Sequence, residues 1–322
     1  MEKFSQYRDR GSGVSPFMPI STPTTAASAI PHTLLFLFRL PIFLFCSLVY
    51  LTFLHHLPLP PALRKILLWG LMAIPGIWWV DLQIDGVKRG TLASSPRERV
   101  PYPGSVIAAS FTSPLDVLYL AAVFDPVFTI SYPGTRKVKR VGLLNALAYA
   151  FSAPVLDLPG KGLTDVKSLL EEYPDRIIAV FPEGSTTNGR GILPLTPSLT
   201  TTPADKRIFA VSLRYTPPDI TTPVPGIGGV VGFLWKLLSR PWHQIRVRIA
   251  EGVRNEKLTN GYDALEVEGQ EGERDGEVSM EEQRVLDKVA DNLARLGRGK
   301  RVGLTLRDKD AFVKAWSRKG KK

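Results

Sequence analysis

Two short stretches of the 322-residue chain hold residue types from which a reaction could be built, and each directly follows an apolar run that reads as a strand. The first is Ser110-Phe111-Thr112-Ser113-Pro114-Leu115-Asp116. The second is Phe181-Pro182-Glu183-Gly184-Ser185-Thr186-Thr187-Asn188-Gly189, followed by Arg190. A carboxylate in each, set among hydroxyls and backbone amides, is material for proton transfer and for cradling a phosphate. In open α/β sheets ligands sit beyond the carboxyl ends of strands, which is where both stretches fall. Pro182 stiffens the exit from its strand, and Gly184 permits a close backbone approach. Taken alone, the second stretch reads equally well as a polar turn. Asp116 falls in a first helical turn, where the helix dipole favours a carboxylate without any chemistry. A third stretch, the basic run Gly134-Thr135-Arg136-Lys137-Val138-Lys139-Arg140, offers charge to a phosphate or is a solvated surface loop.

These stretches need a frame. Residues 105–109, 128–132, 177–181 and 208–213 are short runs rich in β-formers, and 244–249 alternates polar and apolar. Helices are expected over 115–123, 143–151 and 164–172, the first capped by Thr112 or Ser113 with Pro114 at its first position. Alternating strands and helices predict an α/β domain over residues 81–255, a mixed sheet flanked by helices. The apolar stretch 226–238 is too short to span a bilayer. It is either a core helix or one lying on a membrane.

Residues 1–32, rich in Gly, Pro, Ser and Thr, predict a flexible leader. Residues 33–54 are long and apolar enough for a spanning helix, with Arg39 near enough to its start to snorkel to headgroups. A second apolar stretch, 63–80, carries Trp69, Trp78 and Trp79, which favour a membrane interface. Residues 33–80 are therefore expected to anchor the chain in a membrane through two helices, either a hairpin or one span plus an interfacial helix. Residues 256–282 predict an acidic, mobile insertion, and 283–322 a C-terminal helix with a basic tail suited to anionic headgroups. The net charge of +11 fits a membrane surface or anionic substrates. No nucleic-acid-binding pattern accompanies it. The single cysteine, Cys46, forms no internal disulfide, no Cys/His cluster suggests zinc, and neither a metal nor a redox cofactor is expected.

Taken together, Phe-Pro-Glu-Gly after a strand, some 70 residues beyond a Thr-Ser-Pro-Leu-Asp helix start, resembles the glycerolipid acyltransferase family. That family includes the lysophosphatidic acid and lysophosphatidylcholine acyltransferases. The likeness covers residues 33–255, and its layout is similar to fungal lysophosphatidic acid acyltransferases linked to vacuolar protein sorting. It implies that an acceptor hydroxyl attacks the thioester of acyl-CoA, a cosubstrate. In the family's first motif, Asn-His-x4-Asp, histidine is the base and aspartate orients it. Asp116 matches the aspartate, while Ser110 and Phe111 occupy the other two positions. Thr112 and Ser113 complete the motif. By the same likeness Pro182, Glu183, Gly184 and Ser185 contact the acceptor's glycerol phosphate. Thr186 stands where many members have arginine, which leaves Arg190 or Arg136 to supply the charge; Lys137 lies in the basic run offered to a phosphate of CoA or lipid.

Two readings stay open at this level. One is an acyltransferase acting on a lysophospholipid, most simply lysophosphatidic acid, with Asp116 or the lipid phosphate as proton acceptor. The other is a non-catalytic membrane protein of the same fold that binds acyl-CoA or lysolipid in trafficking. Either is expected at the endoplasmic reticulum membrane or the lipid-droplet surface, with the domain facing the cytosol. The sequence names no protein partner.

Overall fold

The strands are runs of small and β-branched residues, and the central ones are apolar without alternation, as strands covered on both faces must be. A computed structural model describes residues 2–23, 26–87, 99–255 and 278–319. In chain order its strands are β1 (Ile77–Ile84), β2 (Val106–Ala109), β3 (Val127–Ser131), β4 (Val138–Val141), β5 (Leu163–Thr164), β6 (Ile178–Phe181), β7 (Gly191–Ile192), β8 (Arg207–Thr216), β9 (His243–Ile249), β10 (Val253–Arg254) and β11 (Lys300–Arg301). Its α-helices are α1 (Ala26–Thr52), α2 (Pro61–Ala73), α3 (Pro114–Phe124), α4 (Leu143–Tyr149), α5 (Val166–Glu172), α6 (Ile227–Ser239), α7 (Met280–Gly297) and α8 (Leu306–Lys319).

Nine strands form one mixed sheet in the order β1-β9-β8-β2-β6-β3-β4-β5, with β10 paired to β8. The fully buried β2 lies at its centre, parallel to β6 on one side and β8 on the other; Ala108 stands opposite both Val180 and Ala210. One face packs on α2, α3, α4 and α6 through Leu68, Leu115, Leu143 and Leu237. The other packs on α5 and α7 through Leu169, Val289 and Leu293. α7 turns the apolar stripe of an amphipathic helix onto the sheet, and its N-terminus is closed by a Ser279–Glu282 capping box. A smaller cluster joins Phe4, Phe17, Leu193, Leu306 and Phe312 beside the short β7–β11 pair.

Several expectations need correction. The leader is packed, not loose: Phe17 is buried, its ring 5.9 Å from that of Phe312. Two aromatic anchors are enough to dock a stretch whose average composition is polar. The second apolar stretch is not one helix. α2 ends before Pro75-Gly76, and Trp78 and Trp79 lie in β1, paired in parallel with β9. The boundary expected at residue 80 therefore falls inside a strand.

One helix, Ala29–His56, is long and apolar enough to cross a membrane by length and composition. Arg39 does not hang free on it; its guanidinium donates to the carbonyls of Pro75 (3.3 Å), Arg240 (2.6 Å) and Pro241 (3.1 Å). Most of the acidic segment, residues 256–277, lies outside the described residues. Beyond it, two helices rather than one pack into the molecule.

Candidate functional site

Because β2 and β6 are adjacent and parallel, the chain leaves both in the same direction, and the two stretches singled out by residue type become neighbours. The Thr187 N–H donates to the Phe111 carbonyl at 2.9 Å. Phe111 stacks on Phe181 with 4.3 Å between ring centroids. A third segment ties them together: Thr222 N–H donates to the Thr112 carbonyl (2.8 Å) and the Thr186 hydroxyl to the Thr222 carbonyl (2.7 Å).

Asp116 both caps and reaches outward. Ser113 is the N-cap of α3, Pro114 occupies the first turn, and Asp116 completes a capping box. Its Oδ2 accepts from Thr112 N–H (2.6 Å), the Thr112 hydroxyl (3.1 Å) and Ser113 N–H (2.9 Å). Its Oδ1 accepts a hydrogen bond from the Tyr215 hydroxyl. Complete burial pushes the carboxyl up to about 6, against the pull of these four donors. Burial and the neighbouring Asp116 charge push the Tyr215 phenol well above its ordinary value.

Glu183 is as deeply buried but less well served. Leu193 N–H donates to Oε2 at 3.2 Å, and Oε1 has no hydrogen-bond partner. Burial pushes this carboxyl up to about 8, although the Leu193 and Phe111 amides and the Lys309 charge favour ionisation. Gly184, at φ 64°, takes a conformation suited to glycine; a Cβ there would stand 3.0 Å from Leu306 Cδ1. The Tyr149 hydroxyl donates to the Gly184 carbonyl at 2.6 Å.

Lys309, from α8, fills the underside of this loop. It is fully buried, and its Nζ donates to Ser185 Oγ (2.6 Å), Thr186 Oγ1 (3.1 Å) and the Thr186 carbonyl. Burial lowers it to about 7, with Glu183 pulling the other way. A buried amine thus stands at Thr186, supplied from far along the chain rather than by the neighbouring arginines.

The structure gives the remaining candidates different surroundings. Ser110 is buried, its hydroxyl accepting from Leu213 N–H at 3.2 Å. Pro182 is buried in the turn after β6, its carbonyl accepting from Thr196 N–H. Phe111 is fully buried in the aromatic stack. Arg136 forms an ion pair with Glu282 of α7 (2.9 Å), and Lys137 lies exposed on the same turn. Arg190 is exposed at the loop's end. None of the four histidines contacts Asp116, and His243 is buried with Nε2 at 2.8 Å from the Leu237 carbonyl. Among the described residues no three His, Cys, Asp or Glu side chains gather as metal ligands would.

A cavity of about 100 Å³ opens beside the dyad, lined by Thr112, Tyr215, Asn188, Arg190, Arg214 and Ile20. A larger one of about 630 Å³ shares Ile20, Asn188 and Arg190 and runs under the N-terminal segment. That segment is clamped by Asn188, whose Nδ2 donates to the carbonyls of Ser15 (2.7 Å) and Met18 (2.8 Å), while its N–H donates to Pro16. Sequence reasoning missed Tyr215, Lys309, Tyr149 and Asn188's clamp. The only available signals were a tyrosine in a strand and a lysine in a charged helix.

No family model matches the chain. It is 28% identical, over 99% of both chains, to a Schizosaccharomyces pombe protein provisionally named lysophosphatidic acid:oleoyl-CoA acyltransferase. It is 22% identical, over 60% of each chain, to lysophosphatidic acid:oleoyl-CoA acyltransferase 1 of Saccharomyces cerevisiae. Both of these relatives bear acyltransferase names.

Proposed function

We propose that the chain is an acyl-CoA-dependent acyltransferase that acylates lysophosphatidic acid to phosphatidic acid. The names of two relatives, one of them similar over nearly the whole length, support the reaction class. The observation that carries the mechanism is the Tyr215–Asp116 hydrogen bond at the cavity wall, where no histidine stands.

In this reading Tyr215 relays what histidine would have taken. The acceptor hydroxyl gives its proton to the Tyr215 oxygen as Tyr215 passes its own to Asp116 Oδ1. The freed oxygen attacks the thioester carbonyl carbon, a C–O bond forms, and the C–S bond breaks. The proton returns through Tyr215 to the leaving sulfur, giving free CoA. An ionised Asp116 with a value near 6 suits an acceptor working close to neutral pH. The amides of the 183–188 loop, with the Lys309 amine beneath them, are placed to receive the acceptor's phosphate. α1 anchors the chain in the endoplasmic reticulum membrane or at the lipid-droplet surface, with the domain on the cytosolic side.

The experiment is direct. Purified protein in detergent micelles, given labelled oleoyl-CoA and lysophosphatidic acid, forms phosphatidic acid saturably. No product above that of Asp116→Ala and Glu183→Ala controls overturns the reading. The aromatic burial of Phe111 favours a second reading, a protein that binds these lipids without turnover. Under it, Phe111→His creates activity that the native chain lacks.

A further inference from the structure

Beyond the end of α7 the sheet carries a concentration of arginines that folding alone does not explain. Arg214 on β8 stands directly opposite Arg246 on β9, and Arg248 follows two residues later on the same face, opposite Ser212. Like charges directly opposed across an antiparallel pair are destabilising. Near its C-terminus α7 meets β8 at Ser212, whose Oγ lies 3.1 Å from where a Gly297 Cβ would be. The next position of β8 on that face is Arg214, which is half-buried. Arg298 follows immediately, in the left-handed cap position of α7, and the Arg190 carbonyl accepts from Lys300 N–H on the adjoining strand.

Among the described residues, the carboxylates acting on this array are Asp81 and Asp85. Asp81 pairs with Arg246 at 3.2 Å, while Asp85 is engaged by Arg295. Arg248 spends one N–H on the Leu296 carbonyl and leaves Nε buried without an acceptor. Arg214 is half-buried and has no salt bridge among the described residues. Burial, followed by the charges of Arg246, Arg248, Arg298 and Arg190, holds its guanidinium below the ordinary value. Such an array lowers its own repulsion when a multivalent anion sits on it, and forked guanidiniums match phosphate oxygens. Arg214 and Arg190 also line the cavity at Thr112 and Tyr215, so an anion held here lies next to the reacting dyad.

We propose that the Arg214–Arg246–Arg248 face, with Arg190 and Arg298 at its rim, binds the phosphoadenosine diphosphate of the acyl donor and leads its thioester arm to Tyr215. This rests on the acyltransferase reading for the identity of the ligand. The lysolipid phosphate is left to the 183–188 loop, so the two phosphates of the reaction have separate seats.

The test uses free CoA, which has no acyl group to transfer, titrated calorimetrically into the whole protein in neutral detergent micelles. Arg214→Gln and the Arg246→Gln/Arg248→Gln pair are expected to weaken CoA by about ten- to a hundredfold each, the loss of charge-assisted hydrogen bonds. CoA is expected to bind the native protein more tightly than its 3′-dephospho form. Co-sedimentation with phosphatidylserine vesicles is expected to be the same for native and variants. If Arg214→Gln fails to fold, Arg298→Gln at the exposed rim carries the same test. CoA affinity indifferent to these changes overturns the proposal, and so does loss of vesicle binding with CoA affinity intact, which would give the face to lipid headgroups. A protein that acylates but binds CoA without Arg214 defeats this inference alone. One that binds CoA through Arg214 yet never acylates supports it and defeats only the reaction.

Discussion

Asp116 and Glu183 lie just beyond neighbouring strands and are equally hidden from water, yet their surroundings prepare them for opposite charge states. Four donors converge on Asp116, one of them a phenol at the cavity wall. Glu183 has one close amide and an oxygen with no partner. The same desolvation therefore leaves one carboxyl at about 6 and the other at about 8. Near neutral pH the first is an ionised proton acceptor and the second a neutral strut. Burial sets the direction of both shifts, and the supply of donors decides which group remains available for proton transfer.

The strongest way to break this contrast is Asp116→Asn. An amide keeps the shape but cannot take a proton, so acylation rates are expected to fall by about 10²–10⁴-fold. Initial-rate measurements that find the amide as good as the acid would end the assignment. Next in size is Tyr215→Phe, expected to cost on the order of 10²-fold through loss of the relay. Because the Tyr215 hydrogen bond lowers Asp116, its removal also moves the acid limb of the pH–rate profile upward from about 6. An unmoved limb would assign that limb to another group.

Lys309→Met should act mainly on the loop. Ser185 and Thr186 lose their shared donor, and stability is expected to drop by about 1–3 kcal/mol in denaturant titrations. The native lysine is depressed from 10.5 to about 7, so the stability it lends is present above 10.5 and is lost as pH falls through 7. The variant is expected to lack that slope. Glu183→Gln is the mildest change at neutral pH, since a protonated acid is replaced by another neutral group. Its signature is in the pH dependence. Glu183 is raised from 4.5 to about 8, so its stabilising effect is complete below 4.5 and disappears as pH rises through 8. Melting temperatures of native protein should fall across that window relative to the glutamine variant, and parallel curves would contradict the neutral-strut assignment.

The sheet was largely legible because its central strands advertise themselves. The runs at 105–109, 128–132, 177–181 and 208–213 correspond to β2, β3, β6 and β8, and the capped helix at Pro114 is where Thr-Ser-Pro-Leu-Asp puts it. Adjacency of the two loops followed from topology once both ended neighbouring parallel strands. What escaped was whatever depends on distant partners. β1 was hidden in an apolar run that reads as helix until Pro75-Gly76 breaks it. Tyr215 meets Asp116 across 99 residues, and Lys309 meets Ser185 across 124. Neither has a local pattern, because a buried hydrogen bond between remote segments leaves no periodicity. The leader was misread for a related reason: two aromatics outweigh a polar average only when a hydrophobic recess waits for them.

The long reach of Lys309 has a bearing on how the protein is made. Chains emerge from the ribosome N-terminus first, and contacts between remote segments close late. The 183–188 loop must leave the tunnel and wait, its Ser185 and Thr186 unmet, until residue 309 has been translated. A nascent chain interrupted between residues 255 and 308 carries every strand of the large sheet but an unfinished loop, so competence arrives with α8 and not by degrees.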